Sequence, residues 1–147
     1  ARAETVATKP FFRDAFKKKR CLILADGFYE WKRAGKSKVP YRIALKTEEP
    51  FAFAGIWSMA HDVHGDVHPI FALLTTEANT LVAQIHTRMP VILREQDEEE
   101  WLNPTLSLDA AQALLRPYPA ERLMAYEVSS KVNAATSNSP DLLQPRA

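Results

Sequence analysis

The sequence has little of several features that would define a protein class. Its 147 residues contain one cysteine and no apolar run near the roughly 18 residues that a membrane span requires. One cysteine cannot form an intramolecular disulfide, and the first ten residues lack the apolar stretch of a signal peptide, so we expect a soluble protein of a reducing, cytoplasmic compartment. Glycine is scarce, at four residues, and no glycine-rich phosphate loop is present, which argues against a Rossmann or P-loop fold.

The composition is that of a folded chain. Hydrophobic residues make up 46% of the sequence and aromatic residues 10%, which is enough to build a core and excludes extensive disorder. A chain of this length buries about two thirds of its unfolded surface. We therefore expect one domain spanning residues 1–147.

The net charge of +1 hides an uneven distribution along the chain. Residues 1–46 carry 13 basic and 4 acidic side chains, whereas residues 47–147 carry 6 basic and 14 acidic ones. Clustered Lys and Arg are typical of a face that binds a polyanion such as nucleic acid. Two oppositely charged solvated faces are the alternative that charge alone leaves open.

Residue patterns predict an α+β fold with a mixed, mainly antiparallel curved sheet of at least four strands and short helices at its edges. The predicted strands cover residues 21–31, 40–45, 51–59, 68–75, 91–93 and 126–132. The predicted helices begin near Thr8 or Pro10, at Thr75 or Thr76, at Glu95 and after Ser107, and end near residues 20, 86, 102 and 115. Residues 133–147 are expected to form a packed but irregular tail.

Glu30 is the first candidate for chemistry. It alternates with Phe28 and Leu24 on one face of a strand that is otherwise apolar, where a carboxylate is expensive to bury. A partly buried glutamate can serve as a general acid. A strand-end glutamate that reaches solvent or pairs with a neighbouring arginine is the structural alternative.

His86 and Arg88 form the second candidate. They lie just past a predicted helix end, in a segment that Pro90 makes extended, so their side chains can share a side. Histidine exchanges protons near neutral pH, and arginine clamps phosphodiesters, so the pair suits proton transfer beside a phosphate. A histidine at a helix C-terminus with a surface arginine is the alternative.

Two further groups are weaker candidates. Cys21 invites a thiol hydrolase with His86 as base, but it begins an apolar strand, where a free cysteine is usually a small buried hydrophobe. His61, His64 and His68 have a spacing that a metal site can use. We favour a polar hairpin loop for these histidines, because no regular element would hold the three rings convergent.

Several segments together resemble the SOS-response-associated peptidase (SRAP) family. They are ARAETV, KPFFRDAFKKKRCLILADGFYEW, FAFAGIW, LLTTEAN, IHTRMPVIL and VSSKVNAATSNSPDLLQP, and they span the whole chain in order. The resemblance implies a SRAP-like domain, corresponding to the C-terminal two thirds of the family's domain.

The resemblance also implies a chemistry. In that family the catalytic cysteine is residue 2 of the precursor, and it crosslinks to abasic sites in single-stranded DNA. That residue would precede Ala1, so we expect this chain alone to be inactive, and Cys21 matches a non-catalytic cysteine. Glu30 and His86 match the active-site glutamate and histidine, while Arg2 and Arg88 match basic residues that contact DNA.

These implications define the leading hypothesis and its alternative. The leading hypothesis is an enzyme of DNA damage and the SOS response, with self-processing peptidase, abasic-site crosslinking and lyase-type activity. We expect it to use no metal or cofactor, to be associated with the nucleoid if bacterial, and to bring Glu30, His86 and Arg88 together in a cleft beside Arg2. A non-covalent module that binds single-stranded DNA is the alternative.

Overall fold

Within residues 1–146, which the computed structural model describes, the chain forms three α-helices and eight strands. The helices are α1 (Pro10–Lys18), α2 (Glu95–Leu102) and α3 (Leu108–Ala113). The strands are β1 (Arg20–Ala25), β2 (Phe28–Ala34), β3 (Ser37–Leu45), β4 (Phe51–His61), β5 (Val67–Leu73), β6 (Thr75–Glu77), β7 (Arg88–Pro90) and β8 (Leu123–Glu127).

The chain passes back and forth between two structural units. The first unit contains Ala1–Leu24, Phe51–Thr76 and Pro90–Tyr118. The second contains Ala25–Pro50, Glu77–Met89 and the chain from Pro119 onward. Each unit therefore combines segments that are distant in the sequence, which is why its packing depends on long-range contacts.

The first unit is built around strand β4 and an apolar core. Strands β1, β4 and β5 form a three-stranded sheet in that order, and β4 pairs antiparallel with β5. Gly55 lies in β4 where a Cβ atom would overlap the side chain of Ile23, so glycine permits a close approach there. The core residues include Val6, Phe16, Ala54, Ile56, Leu74, Val91 and Trp101.

Helices α2 and α3 confirm two predictions from the sequence. The predicted helix from Glu95 to Leu102 is present, and Trp101 anchors it with no exposed surface. Its indole N–H donates to the carbonyl of Cys21 at 3.0 Å. Ser107 caps α3 by accepting the N–H of Ala110 at 3.2 Å, which satisfies a donor that the first helical turn leaves without a partner.

The second unit is built on a hairpin. Strands β2 and β3 pair antiparallel from Phe28↔Ile43 to Ala34↔Ser37, and β8 adds to the other edge of β3. Gly35, at the first of the two loop residues, has a φ of 63°. A two-residue hairpin loop with positive φ at that position favours glycine. The segment between the predicted strands 21–31 and 40–45 is therefore a tight turn of two residues, and the strands extend to Ala34 and from Ser37 on either side of it.

The single predicted strand over residues 21–31 is wrong, because it breaks at Asp26 and Gly27. Arg42 is 7% exposed and donates to the carbonyl of Asp26 at 3.0 Å and to the Tyr126 hydroxyl at 2.8 Å. A Cβ on Gly27 would lie 3.0 Å from Arg42 Nε. The buried guanidinium thus takes the place of a strand partner, and Leu24, expected on a core face, is 76% exposed.

The predicted helix from Thr75 or Thr76 to His86 is also wrong. Thr75–Glu77 forms strand β6, which pairs with β7, and only Val82–Gln84 is helical, as a 3₁₀ turn. The Asn79 side chain accepts the N–H of Val82 at 2.9 Å, a local bond by which asparagine starts a short turn and competes with a longer helix.

Three smaller expectations also need correction. The expected sheet of four or more strands is replaced by two three-stranded sheets and the β6–β7 pair within the described residues. The last strand is Leu123–Glu127, followed by a 3₁₀ turn at Ser130–Asn133. The short strand expected at residues 91–93 lies at Arg88–Pro90 instead, and Ile92 makes an isolated bridge to Phe53.

The observed fold class is α+β, with mainly antiparallel strand pairing and short helices, as the sequence predicts. None of the helices in residues 1–146 combines the length and apolar character needed to cross a bilayer.

Candidate functional site

A depression of about 940 Å³ in the second unit carries the titratable pair that the sequence predicts. Glu30 from β2 and His86 from the segment before β7 both line it. Lys32, Arg33 and Lys38 of the β2–β3 hairpin line the same depression. Acid–base groups and positive charge therefore share one open space, which suits an anionic substrate whose reaction needs proton transfer.

Glu30 is held in place by strand pairing and by a main-chain contact. It stands opposite Tyr41 in the β2–β3 register, and its side chain is 23% exposed. Its Oε1 accepts the N–H of Trp31 at 3.1 Å, while Oε2 lies 3.9 Å from His86 Nδ1. That separation is too long for a direct hydrogen bond, but one water molecule or a small side-chain rotation can bridge it.

His86 is positioned by the 3₁₀ turn that precedes it. Its N–H donates to the carbonyl of Val82 at 2.8 Å, and its side chain is 45% exposed. In the neutral ring, Nδ1 accepts the main-chain N–H of Arg88 at 3.1 Å, which leaves the ring proton on Nε2. In the protonated ring, Nδ1 becomes a donor, and the Arg88 carbonyl at 3.1 Å and Glu30 Oε2 are its nearest acceptors.

The two arginines matched by the resemblance lie in different units. Arg88, in the second unit, is half-buried and contributes its main chain to His86. Arg2, in the first unit, is exposed. Its two neighbours hold the main chain there: the N–H of Ala3 donates to the Thr75 carbonyl, and the N–H of Thr75 donates to the Ala1 carbonyl, each at 2.8 Å. That either arginine contacts DNA stays a prediction.

Cys21 has the surroundings of a structural cysteine. It lies in β1 of the first unit and is half-buried, and its Sγ would be 3.0 Å from a Cβ added at Gly55. Burial raises the pKa of the Cys21 thiol, which disfavours the nucleophilic thiolate at neutral pH.

The loop histidines form no three-histidine cluster among the described residues. The potential ligands that lie together are Asp62, Asp66 and His68, all exposed in the β4–β5 hairpin. Asp62 is engaged by the turn: Oδ1 accepts the N–H groups of His64 and Asp66, and Oδ2 lies 3.0 Å from His68 Nε2. The N–H of His64 is the largest of several hydrogen-bonding influences that lower the pKa of Asp62. The turn accounts for these contacts.

Sequence reasoning did not single out the hairpin cations that line the depression. A signal for them is present, because residues 31–46 contain six basic side chains and no acidic one. The pairing that brings Lys32, Arg33 and Lys38 to the wall of the depression depends on the register of β2 with β3, which charge counting does not reveal.

Comparison with known proteins identifies relatives along nearly the whole chain. The family model for the SOS response associated peptidase (SRAP) matches residues 1–135. The chain is 48% identical over 146 residues to the abasic site processing protein YoqW of Bacillus subtilis, an alignment that covers 98% of this chain and 65% of YoqW. It is 30% identical to the abasic site processing protein YedK of Escherichia coli, covering 99% of this chain and 66% of YedK.

A solved structure gives the same result for the fold. The crystal structure of a Bacteroides thetaiotaomicron protein superimposes with a TM-score of 0.93 at 38% identity, covering 100% of this chain and 65% of that protein. The chain thus spans just under two thirds of the length of these relatives. With a family model matching 135 of its 147 residues, the chain belongs to the SOS response associated peptidase (SRAP) family.

Proposed function

We propose that this chain is part of a protein that processes abasic sites in single-stranded DNA by forming a covalent DNA–protein crosslink. The observation that carries the proposal is the 3.9 Å approach of Glu30 Oε2 to His86 Nδ1, in a depression that three cations also line. The relatives YoqW and YedK are named abasic site processing proteins, which supports abasic sites as the substrate.

The proposed covalent step joins an aldehyde to an N-terminal cysteine. The open form of an abasic deoxyribose carries an aldehyde, and an α-amine with a pKa of about 8 is partly neutral at pH 7 and can attack it. Loss of one water gives an imine, and the thiol then adds across the C=N bond, so that sulfur bonds to carbon and the thiol proton ends on nitrogen. The product is a thiazolidine. In this proposal the reacting cysteine is the family's N-terminal one, outside the residues of this chain, and Cys21 has no role in the step.

Glu30 and His86 supply the proton transfers in this proposal. Opening the deoxyribose ring, expelling water from the carbinolamine and reversing the link each need a proton delivered to one oxygen and removed from another group. In the neutral ring, His86 Nε2–H is the available donor, because Nδ1 accepts the Arg88 N–H. Glu30 Oε2, which no hydrogen bond within the described part of the chain engages, is the available base.

The remaining parts of the proposal concern DNA and self-processing. Arg88 and Arg2 would contact phosphates of the bound strand, since guanidinium groups bind phosphate oxygens in pairs. A single strand is favoured because unpaired nucleotides enter an open site without the energy that separating a duplex requires. The peptidase activity named by the family would be removal of the residues that precede the cysteine, which exposes its amine.

A denaturing gel tests the proposal. The full-length protein with its natural start is mixed with single-stranded DNA that contains one abasic site, then heated in detergent. We expect a shifted band, which alanine in place of the N-terminal cysteine abolishes and which C21A leaves intact. A band that persists without the N-terminal cysteine would overturn the proposed chemistry.

The non-covalent alternative predicts a different pair of results. A binding module would retain intact and abasic single strands equally on a native gel and give no band after denaturation. The hairpin cations beside the depression make that alternative physically reasonable, since positive charge alone binds single strands.

A further inference from the structure

The β2–β3 hairpin concentrates positive charge that the fold does not neutralise. Its four cations, which we call the hairpin cations, are Lys32, Arg33, Lys36 and Lys38, and all are exposed. No carboxylate of the described chain lies within 4.0 Å of any of them, whereas Lys131 and Arg146 of the same unit pair with Asp141 and Glu127. An external anion is therefore the available counter-charge.

The hairpin places two of these cations directly opposite each other. Arg33 pairs with Lys38 in the β2–β3 register, so both side chains project from the same face of the hairpin. Like charges at directly opposite positions destabilise a strand pair. The tight turn at Gly35 fixes this register, since one added loop residue would move the partner to the other face. A bound anion would relieve this repulsion.

The hairpin cations also lie beside the acid–base pair. Lys32, Arg33 and Lys38 line the depression that contains Glu30 and His86. Lys32 shares the strand face of Glu30, two residues or about 7 Å along the backbone. Arg33 and Lys38 project from the opposite face of the hairpin and line the same depression from there. A polyanion whose reacting group occupied the depression would have its neighbouring charges over the hairpin.

We propose that the hairpin cations bind the phosphates of the DNA strand on one side of the abasic nucleotide, with Arg33 and Lys38 as the central pair. The identity of the substrate in this inference rests on the proposed function. The contacts are with the phosphate backbone, so they position the strand without reading its sequence. Lys and Arg each neutralise one phosphate charge, although Arg adds a second hydrogen bond.

Salt dependence of binding tests the inference. Affinity of the full-length protein for a 12-nucleotide single strand, with and without one abasic site, is measured by fluorescence anisotropy at several salt concentrations. Each phosphate contact with a single strand contributes about 0.7 to the slope of log K against log salt. We expect R33Q/K38Q to reduce the slope by about 1.4, and R33K/K38R to leave it unchanged.

The matched control is K131Q/R146Q, which changes the net charge by the same amount in the same unit. Because both side chains already pair with carboxylates, we expect this variant to keep the slope of the unmodified protein. An equal fall in slope for the two double variants would mean that only overall charge matters and would overturn the inference. An unchanged slope for R33Q/K38Q would overturn it as well.

The two proposals fail separately. In one outcome, R33Q/K38Q has a smaller slope of log K against log salt, but neither the unmodified protein nor any variant crosslinks abasic DNA. The hairpin then binds single strands, and the proposed covalent function is wrong. If crosslinking occurs and the slope does not change, the function stands and the hairpin inference is wrong. Urea unfolding checks the fold, and we expect R33Q/K38Q to be at least as stable as the unmodified protein because it removes a like-charge pair.

Discussion

The main-chain N–H of Arg88 lies 3.1 Å from Nδ1 of His86, two residues earlier in the chain. When the ring proton is on Nε2, Nδ1 accepts this N–H; when Nδ1 carries a proton, it donates instead to the Arg88 carbonyl, also at 3.1 Å. Since both partners are backbone groups, substitutions of the Arg88 side chain keep them. The tautomer of His86 and the contact of Arg88 with DNA can therefore be tested independently.

The first prediction concerns proton transfer by Glu30 and His86. We expect E30Q and H86Q each to slow crosslinking of the full-length protein by about 10²- to 10⁴-fold, the usual contribution of a positioned acid or base. Because the two groups act on the same steps, the double variant should be little slower than the worse single one. Single-turnover rates at saturating abasic DNA measure this. The control is E121Q, an exposed glutamate in the same unit that should keep the full rate.

The second prediction concerns the reactivity of Cys21. Burial raises the pKa of its thiol, so at pH 7 the folded protein should react with iodoacetamide more slowly than the same thiol in urea. Every cysteine of the full-length protein other than Cys21 is replaced by alanine for this measurement, so that one thiol is followed. Equal rates in the folded and unfolded states at neutral pH would contradict the prediction.

The third prediction concerns the stability of the second unit. Arg42 is buried and donates to Tyr126 and Asp26, and its removal leaves those acceptors without a donor. We expect R42M to lower the free energy of unfolding by about 3 kcal/mol, since bonds to a charged group are worth roughly 1.5–3 kcal/mol each. Urea denaturation measures the change. Y126F, which removes one acceptor of the arginine and keeps the bond to Asp26, should lower it by about 1.5 kcal/mol, the value of one such bond.

The fourth prediction concerns the acid stability of the C-terminal segment. The Ser139 hydroxyl and then the Lys131 ammonium hold the pKa of Asp141 below its ordinary value. Because the folded-state pKa is the lower one, these contacts stabilise the fold above the ordinary value near 4 and are lost as the pH falls through the folded-state pKa. NMR titration should show a higher pKa of Asp141 in S139A and no change in S137A. An unaltered pKa in S139A would contradict the assignment.

Local sequence signals predict the parts of this fold that are locally determined. The helix from Glu95 to Leu102, the cap at Ser107 and the turn at Gly35 each depend on residues within one or two turns of chain. The break after Ala25 does not, since it is held by Arg42, which arrives from β3 and is buried against Tyr126 of β8. Propensity over residues 21–31 favours one strand, and the tertiary contact overrides it.

The candidate site likewise has one part that the sequence predicts and another part that depends on tertiary contacts. Glu30 and His86 can be proposed from their residue types and from the family resemblance, but their 3.9 Å approach requires β2 and the segment before β7 to meet. The apolar spacing after Thr75 misled the helix prediction, because the Asn79 side chain and pairing of β6 with β7 outweigh it. Counting charges along the sequence does not identify the hairpin cations, because it does not show that Arg33 and Lys38 are paired across the two strands.

The two-residue turn at Gly35 also limits how this hairpin can vary among natural proteins of the same fold. An exchange of lysine for arginine at either side of the turn changes no geometry, so such substitutions are neutral for the backbone. An insertion of one residue in the turn would re-pair Arg33 with a different position and send alternate side chains of β3 to the opposite face. At this hairpin we therefore expect lysine and arginine to exchange among related proteins while the length of the turn stays the same.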